Sequence, residues 1–142
     1  MATVPILNTI YMKFNKVTIP PLSAQITLGL ERGYTQELIL KKEVITFLQA
    51  YQKEVFTKNN IALSASVSNC KIVFSGQIEP HLKINFINYP KFPVDEKLLK
   101  ETIEDLTKAL MREFHQNRVV IEYLDETTMY EINDEIDSRI KK

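Results

Sequence analysis

The sequence predicts an α+β domain of ferredoxin-like order, βαββαβ, whose antiparallel sheet carries two helices on one face. An extended N-terminal arm and a short C-terminal helix complete it. Three observations lead there. First, the strand candidates alternate. Leu63, Ala65 and Val67 interleave with Ser64, Ser66 and Ser68; Leu82, Ile84 and Phe86 with His81, Lys83 and Asn85; Val119, Ile121 and Tyr123 with Val120 and Glu122. Successive strand side chains point to opposite faces, so one face of the sheet is dry and the other polar. Second, two long stretches between the strands repeat their apolar residues at helical spacing. Third, the elements follow one another as strand, helix, strand, strand, helix, strand.

Each element has its own signal. Residues 1–20 read as an arm or an edge strand, from the alternation of Ile10, Met12 and Phe14 and of Val17 and Ile19. Pro20 and Pro21 end it, because proline cannot donate a ladder hydrogen bond. Gln25 to Leu30 alternates as a strand, and Glu31-Arg32-Gly33 turns. Thr35 is placed as an N-cap for a helix over 36–57, whose stripe is Leu40, Val44, Phe47, Leu48, Tyr51 and Val55. Ile61 to Ser68 is a strand. After Asn69-Cys70-Lys71 the apolar phase moves to Ile72, Phe74 and Ile78, which calls for a bulge or a turn. One bent strand or two short ones over 61–78 both fit. Glu79-Pro80 is expected to break the ladder before a strand over 81–88. Asp95 opens a second helix, with Leu98, Leu99, Thr102, Ile103, Leu106, Leu110, Met111 and Phe114 on its inner face. Arg118 to Leu124 is the last strand. Ile132, Ile136 and Ile140, four apart, predict a helix over 129–142.

The 142 residues make one domain, with 24–124 as its core. At 44% hydrophobic and 25% charged, the chain has the make-up of a folded domain and not of a disordered one. Eighteen basic residues balance eighteen acidic ones, which argues against a nucleic-acid partner, since phosphate binding needs a positive field. A single cysteine, Cys70, excludes an internal disulfide and any multi-cysteine metal cluster. No signal peptide or membrane-length apolar run is read, so no membrane association and a cytoplasmic setting are expected. No metal or cofactor is expected, because phosphate-loop, dinucleotide-glycine, nucleophile-elbow and zinc spacings are all missing.

The polar face is where a function would sit. In this topology the first strand lies between the third and fourth, so Thr27 falls between the Lys83 and Glu122 strands. Thr27, His81, Lys83, Asn85 and Glu122 then form a candidate ligand site with an imidazole, a cation, a carboxylate and a hydroxyl, suited to a small polar or anionic molecule. The same face also suits pairing of subunits as a dimer or trimer, or plain solvation. The leading expectation is a self-associating binding or structural module without catalytic activity. The alternative is a small-molecule enzyme using the polar residues of the open face.

The element order over 24–130, and the run Asn117-Arg118-Val119-Val120-Ile121-Glu122-Tyr123-Leu124-Asp125 after a long helix, resembles the tautomerase superfamily. Phe74-Ser75-Gly76-Gln77-Ile78 before a strand is similar to its tautomerase-like branches. The resemblance implies a ferredoxin-like fold and trimeric assembly, and gives the enzyme alternative a tautomerase-like fold. It does not carry the chemistry over: tautomerases use the amine of an N-terminal proline, whereas Pro20 and Pro21 are internal amides and Pro5 is not terminal unless four residues are removed.

Overall fold

The computed structural model describes residues 12–140. Its elements are β1 (Ala24–Gly29), α1 (Lys41–Asn59), β2 (Ser64–Phe74), β3 (Gln77–Ile87), α2 (Glu96–Glu113), β4 (Arg118–Tyr123) and β5 (Thr127–Glu131). All strand pairs are antiparallel, in the order β2-β3-β1-β4-β5. Without β5 this is the ferredoxin-like order that the sequence predicts. Among the described residues no helix is long and apolar enough to cross a membrane.

The alternation decides which side of the sheet is dry. Ile26, Leu28, Leu82, Ile84, Phe86, Val119 and Ile121 are buried together with Val44 and Leu48 of α1 and Leu99, Ile103, Leu106 and Leu110 of α2. Fully burying one such side chain contributes roughly 1.5–3 kcal/mol. Asp95 caps α2, its carboxylate accepting from the Leu98 amide at 3.2 Å. Leu98 itself, assigned to the inner face from its spacing, lies at the rim and is 43% exposed.

α1 begins five residues later than predicted. Residues 30–40 double back instead, with the Ile39 amide donating to the Leu30 carbonyl and the Arg32 amide to that of Glu37. The Thr35 hydroxyl is taken by the Arg32 carbonyl at 2.6 Å, so it caps this turn and not the helix. Glu43 of α1 reaches back to the Leu40 amide in its place.

The phase shift near Cys70 is not a bulge. β2 and β3 form one hairpin in continuous register from Ser64↔Ile87 to Phe74↔Gln77, turning at Ser75-Gly76. Gly76 has φ +78°, a conformation glycine adopts without penalty. The hairpin outruns the helical layer, so Val73, Phe74 and Ile78 are exposed at its tip whichever face they take. Pro80 lies inside β3 and does not break the ladder. Its carbonyl accepts from the Leu30 amide, so its missing N–H faces the end of β1 and the pairing with β2 is untouched.

Two expectations at the ends are corrected. Residues 127–131 are strand β5, and 132–140 are not helical. Tyr130 packs against the core from β5, and Asn133 diverts the backbone that follows by accepting from the Glu135 amide. Ile132 and Ile136 are exposed and form no helical stripe. The N-terminal expectation lies partly outside the described residues. Within 12–20 there is no edge strand, and Met12, Phe14 and Val17 are exposed.

Candidate functional site

The register arranges the open face in rows. Asn85, Gln25 and Glu122 form one row, with the Gln25 amide donating to the Glu122 carboxylate at 3.4 Å. Lys83, Thr27 and Val120 form the next, and His81 and Gly29 a third. Thr27, His81, Lys83 and Asn85 therefore sit on neighbouring positions of β1 and β3, all half-buried. Glu122 lies across Gln25 from Asn85 and is exposed. Thr27 faces Val120 on the β4 side, so Glu122 is one row away from where Thr27 and Lys83 meet.

At the Gly29 end the face deepens into a cleft of about 190 Å³. Its floor is Gly29 and His81, its wall is Gln116, and its rim is the returning segment at Asp137, Arg139 and Ile140. Of the five predicted residues only His81 lines it. Gly29 is the reason the cleft is deep: a Cβ there would lie 2.6 Å from Gln116 Oε1. Gln116 is 8% exposed, and its Nε2 donates to the carbonyls of Glu31 (2.7 Å) and Phe114 (2.9 Å). Both donors are thus used, and Oε1 is left over Gly29 without a donor among the described residues. His81 Nδ1 lies 3.3 Å from the Glu79 carbonyl. A carbonyl only accepts, so Nδ1 is the donor of that contact, and in the tautomer protonated at Nδ1 it is Nε2 that accepts.

Charge at the rim is arranged around two arginines. Arg139 bridges Asp137 (2.6 Å), Glu31 (3.2 Å) and Glu79 (3.8 Å), which ties the returning segment to β1 and β3. These hydrogen bonds hold the Arg139 proton more firmly than usual, and the Arg139 guanidinium holds the Asp137 carboxyl below the usual carboxylate range. Arg118 bonds Glu131, the Tyr34 hydroxyl and the Glu135 carbonyl, and its own pKa is raised first by the Glu131 bond. The Tyr34 hydroxyl in turn donates to the Glu135 carbonyl at 2.9 Å. Lys83 enters no ion pair among the described residues.

The fold is shared with phage SAM lyase. Over 85% of this chain and 97% of that one, it superposes on the lyase in complex with S-methyl-5'-thioadenosine with a TM-score of 0.64 at 18% identity. For the apo lyase the figures are 88%, 98%, 0.62 and 20%. At such identity the likeness is one of fold. No protein-family model matches the sequence, and no curated protein does. These neighbours overturn the expectation of a module without catalytic activity, since the architecture they share with this chain across nearly their whole length is that of an enzyme.

Sequence reasoning missed Gln116, Asp137 and Arg139, which belong to a helix end and to a segment expected to be helical. Gly29 was the available signal. A glycine inside an otherwise alternating strand marks a place where another group comes close.

Proposed function

We propose that this chain is a small-molecule enzyme working on the open sheet face, with an S-adenosyl sulfonium as its substrate class. The observation that carries the reading is the pairing of two things. The lyase fold is matched over 97% of its length, and that fold here holds an acceptor-lined cleft at one end of a polar face. The cleft is smaller than the roughly 300–1,000 Å³ that encloses a drug-sized ligand, so it takes one end of a molecule while the rest lies along the rows of β1 and β3.

The chemistry would be cleavage of a carbon–sulfur bond of the sulfonium. The bonding pair stays on sulfur, the positive charge disappears, and a neutral thioether such as S-methyl-5'-thioadenosine leaves. The electron-poor carbon of the other fragment closes within that fragment, by loss of a proton or by attack of its own carboxylate, and no water is added. A carboxylate stabilises a sulfonium that binds near it, and Glu79, half-buried at the rim and 3.8 Å from Arg139, is the carboxylate nearest the cleft, with exposed Glu122 at the far row. His81 Nε2 is an acceptor for an N–H group of the ligand, and a proton lost from the fragment passes to solvent. Thr27, Lys83 and Asn85 orient the polar parts of the ligand.

We infer further that copies associate through this face as a dimer or trimer, which would exclude water from the half-buried row of Lys83 and Thr27. The lone unpaired cysteine, Cys70, suits a reducing, cytoplasmic setting.

Titration calorimetry with S-methyl-5'-thioadenosine tests the reading. Saturable one-site binding is expected, and His81→Ala should weaken S-adenosylhomocysteine, which carries an ammonium, at least tenfold. Absence of binding at millimolar ligand refutes it.

A further inference from the structure

We propose that the open face reads the α-amino-acid end of its ligand, with the ammonium in the Gly29 cleft and the carboxylate on Lys83. The proposal rests on the sulfonium reading and names which end of that substrate the face recognises.

Two rows of unlike chemistry carry it. The His81–Gly29 row offers acceptors. Gln116 is more than nine-tenths buried, its two amide hydrogens are spent on backbone carbonyls, and its Oε1 is left facing the cleft. His81 Nε2 lies beside it, both atoms close over Gly29. No buried side-chain oxygen or nitrogen lacks a partner among the described residues, so Oε1 is open to the cleft, where a ligand that brings N–H groups can bond it. An ammonium, with three donors and a positive charge, satisfies Oε1 and Nε2 together, and the Glu79 carboxylate at the same cleft favours its charge. The next row offers donors. Lys83 and Thr27 are direct cross-strand partners, two residues along from His81 and Gly29 and so about 7 Å away. Lys83 has no carboxylate partner among the described residues, although Glu31, Glu79, Glu122 and Glu131 all stand on or beside this sheet. A half-buried ammonium with a threonine hydroxyl across from it can give a carboxylate charge-assisted hydrogen bonds. Acceptors on one row and donors on the next match the polarity of an amino-acid zwitterion, and the lysine stem spans the gap.

The Arg139 cluster does not compete for this role. Asp137 and Glu31 are hydrogen-bonded to that guanidinium and Glu79 lies farther from it at 3.8 Å, which leaves Gln116 Oε1 and His81 Nε2 as the side-chain acceptors of the cleft without a cation.

The test compares three stable thioethers by titration calorimetry. S-adenosylhomocysteine carries the whole amino-acid end. Its decarboxylated form keeps only the ammonium, and S-methyl-5'-thioadenosine keeps neither. In the unaltered protein the first is expected to bind tightest. Lys83→Met should weaken S-adenosylhomocysteine by roughly ten- to a hundredfold and change the other two less than twofold, as loss of one charge-assisted bond implies. Lys83→Arg should restore most of the loss. Melting curves of both variants, matching that of the unaltered chain, show that folding is not the cause. Weakening of all three ligands alike, or of none, overturns the assignment while leaving the adenosyl reading intact. Binding of none of the three to the unaltered protein overturns both.

Discussion

Replacing Gly29 by alanine probes the contact on which the cleft depends. The strand itself tolerates the change, because Gly29 is not held at positive φ. The added methyl carbon would sit 2.6 Å from Gln116 Oε1 and 3.5 Å from His81 Nε2. A glutamine terminus would normally swing away at little cost. Here it is buried and held by the Glu31 and Phe114 carbonyls, so moving Oε1 breaks one or both bonds. A broken bond costs about 0.5–1.5 kcal/mol, and a buried donor left unpaired about 1–3 kcal/mol. We predict a loss of about 1–3 kcal/mol, measured by urea unfolding, with an unchanged m-value. The same methyl fills the floor of the cleft and should weaken binding of S-adenosylhomocysteine, whose ammonium the cleft takes. A double-mutant cycle isolates the cause: in a Gln116→Ala background Gly29→Ala should cost less than about 0.5 kcal/mol. A Gly29→Ala variant as stable as the original, or one whose cost persists without Gln116, refutes the close-approach argument.

Other outcomes follow from the same structure. Ile84→Ala, at the fully buried centre of β3, should cost about 2–5 kcal/mol by chemical denaturation. Asp95→Ala should cost about 1 kcal/mol through loss of the α2 cap, seen as a lower melting temperature. The folded Asp137 carboxyl binds its proton less readily than the unfolded one. It therefore stabilises the fold above the ordinary carboxylate pKa, near pH 4, and that contribution fades as pH falls through its lowered value. Hydrogen exchange of 132–140 should accelerate below about pH 4, and Asp137→Asn should remove this acid dependence. Burial, with Glu104 beside it, raises the Tyr123 phenol, so its ionisation favours the unfolded chain. Stability should decline above about pH 10, and Tyr123→Phe should lessen the decline in a pH series of melting curves.

Much of the architecture was legible because the sheet is dry on one side only. Ile26, Ile84 and Ile121 stand at mutual partner positions and are all fully buried, as their alternation requires. The same period put Thr27, Lys83 and Asn85 on the opposite face. What could not be read came from tertiary satisfaction of polar groups. Ile132, Ile136 and Ile140 have helical spacing, yet Asn117, Arg118 and Tyr34 hold the backbone of 133–135 by side-chain hydrogen bonds from far along the chain. Thr35 has the chemistry of a cap and serves a turn. Phe74 and Ile78 look like core by composition, but the hairpin carries them past the helices that would cover them. The cleft was hidden for the same reason: Gln116 sits five positions beyond the last inward-facing Met111 of α2, and only the turn of the chain at His115, with φ 52°, brings it over Gly29.

Chromatography of S-adenosylmethionine incubated with the purified protein is the most direct measurement of all. We predict that S-methyl-5'-thioadenosine accumulates with time and enzyme concentration, and that His81→Ala and Gly29→Ala slow its release at least tenfold. Substrate that stays intact, or turnover that is indifferent to both substitutions, contradicts an adenosyl-sulfonium enzyme built on this face.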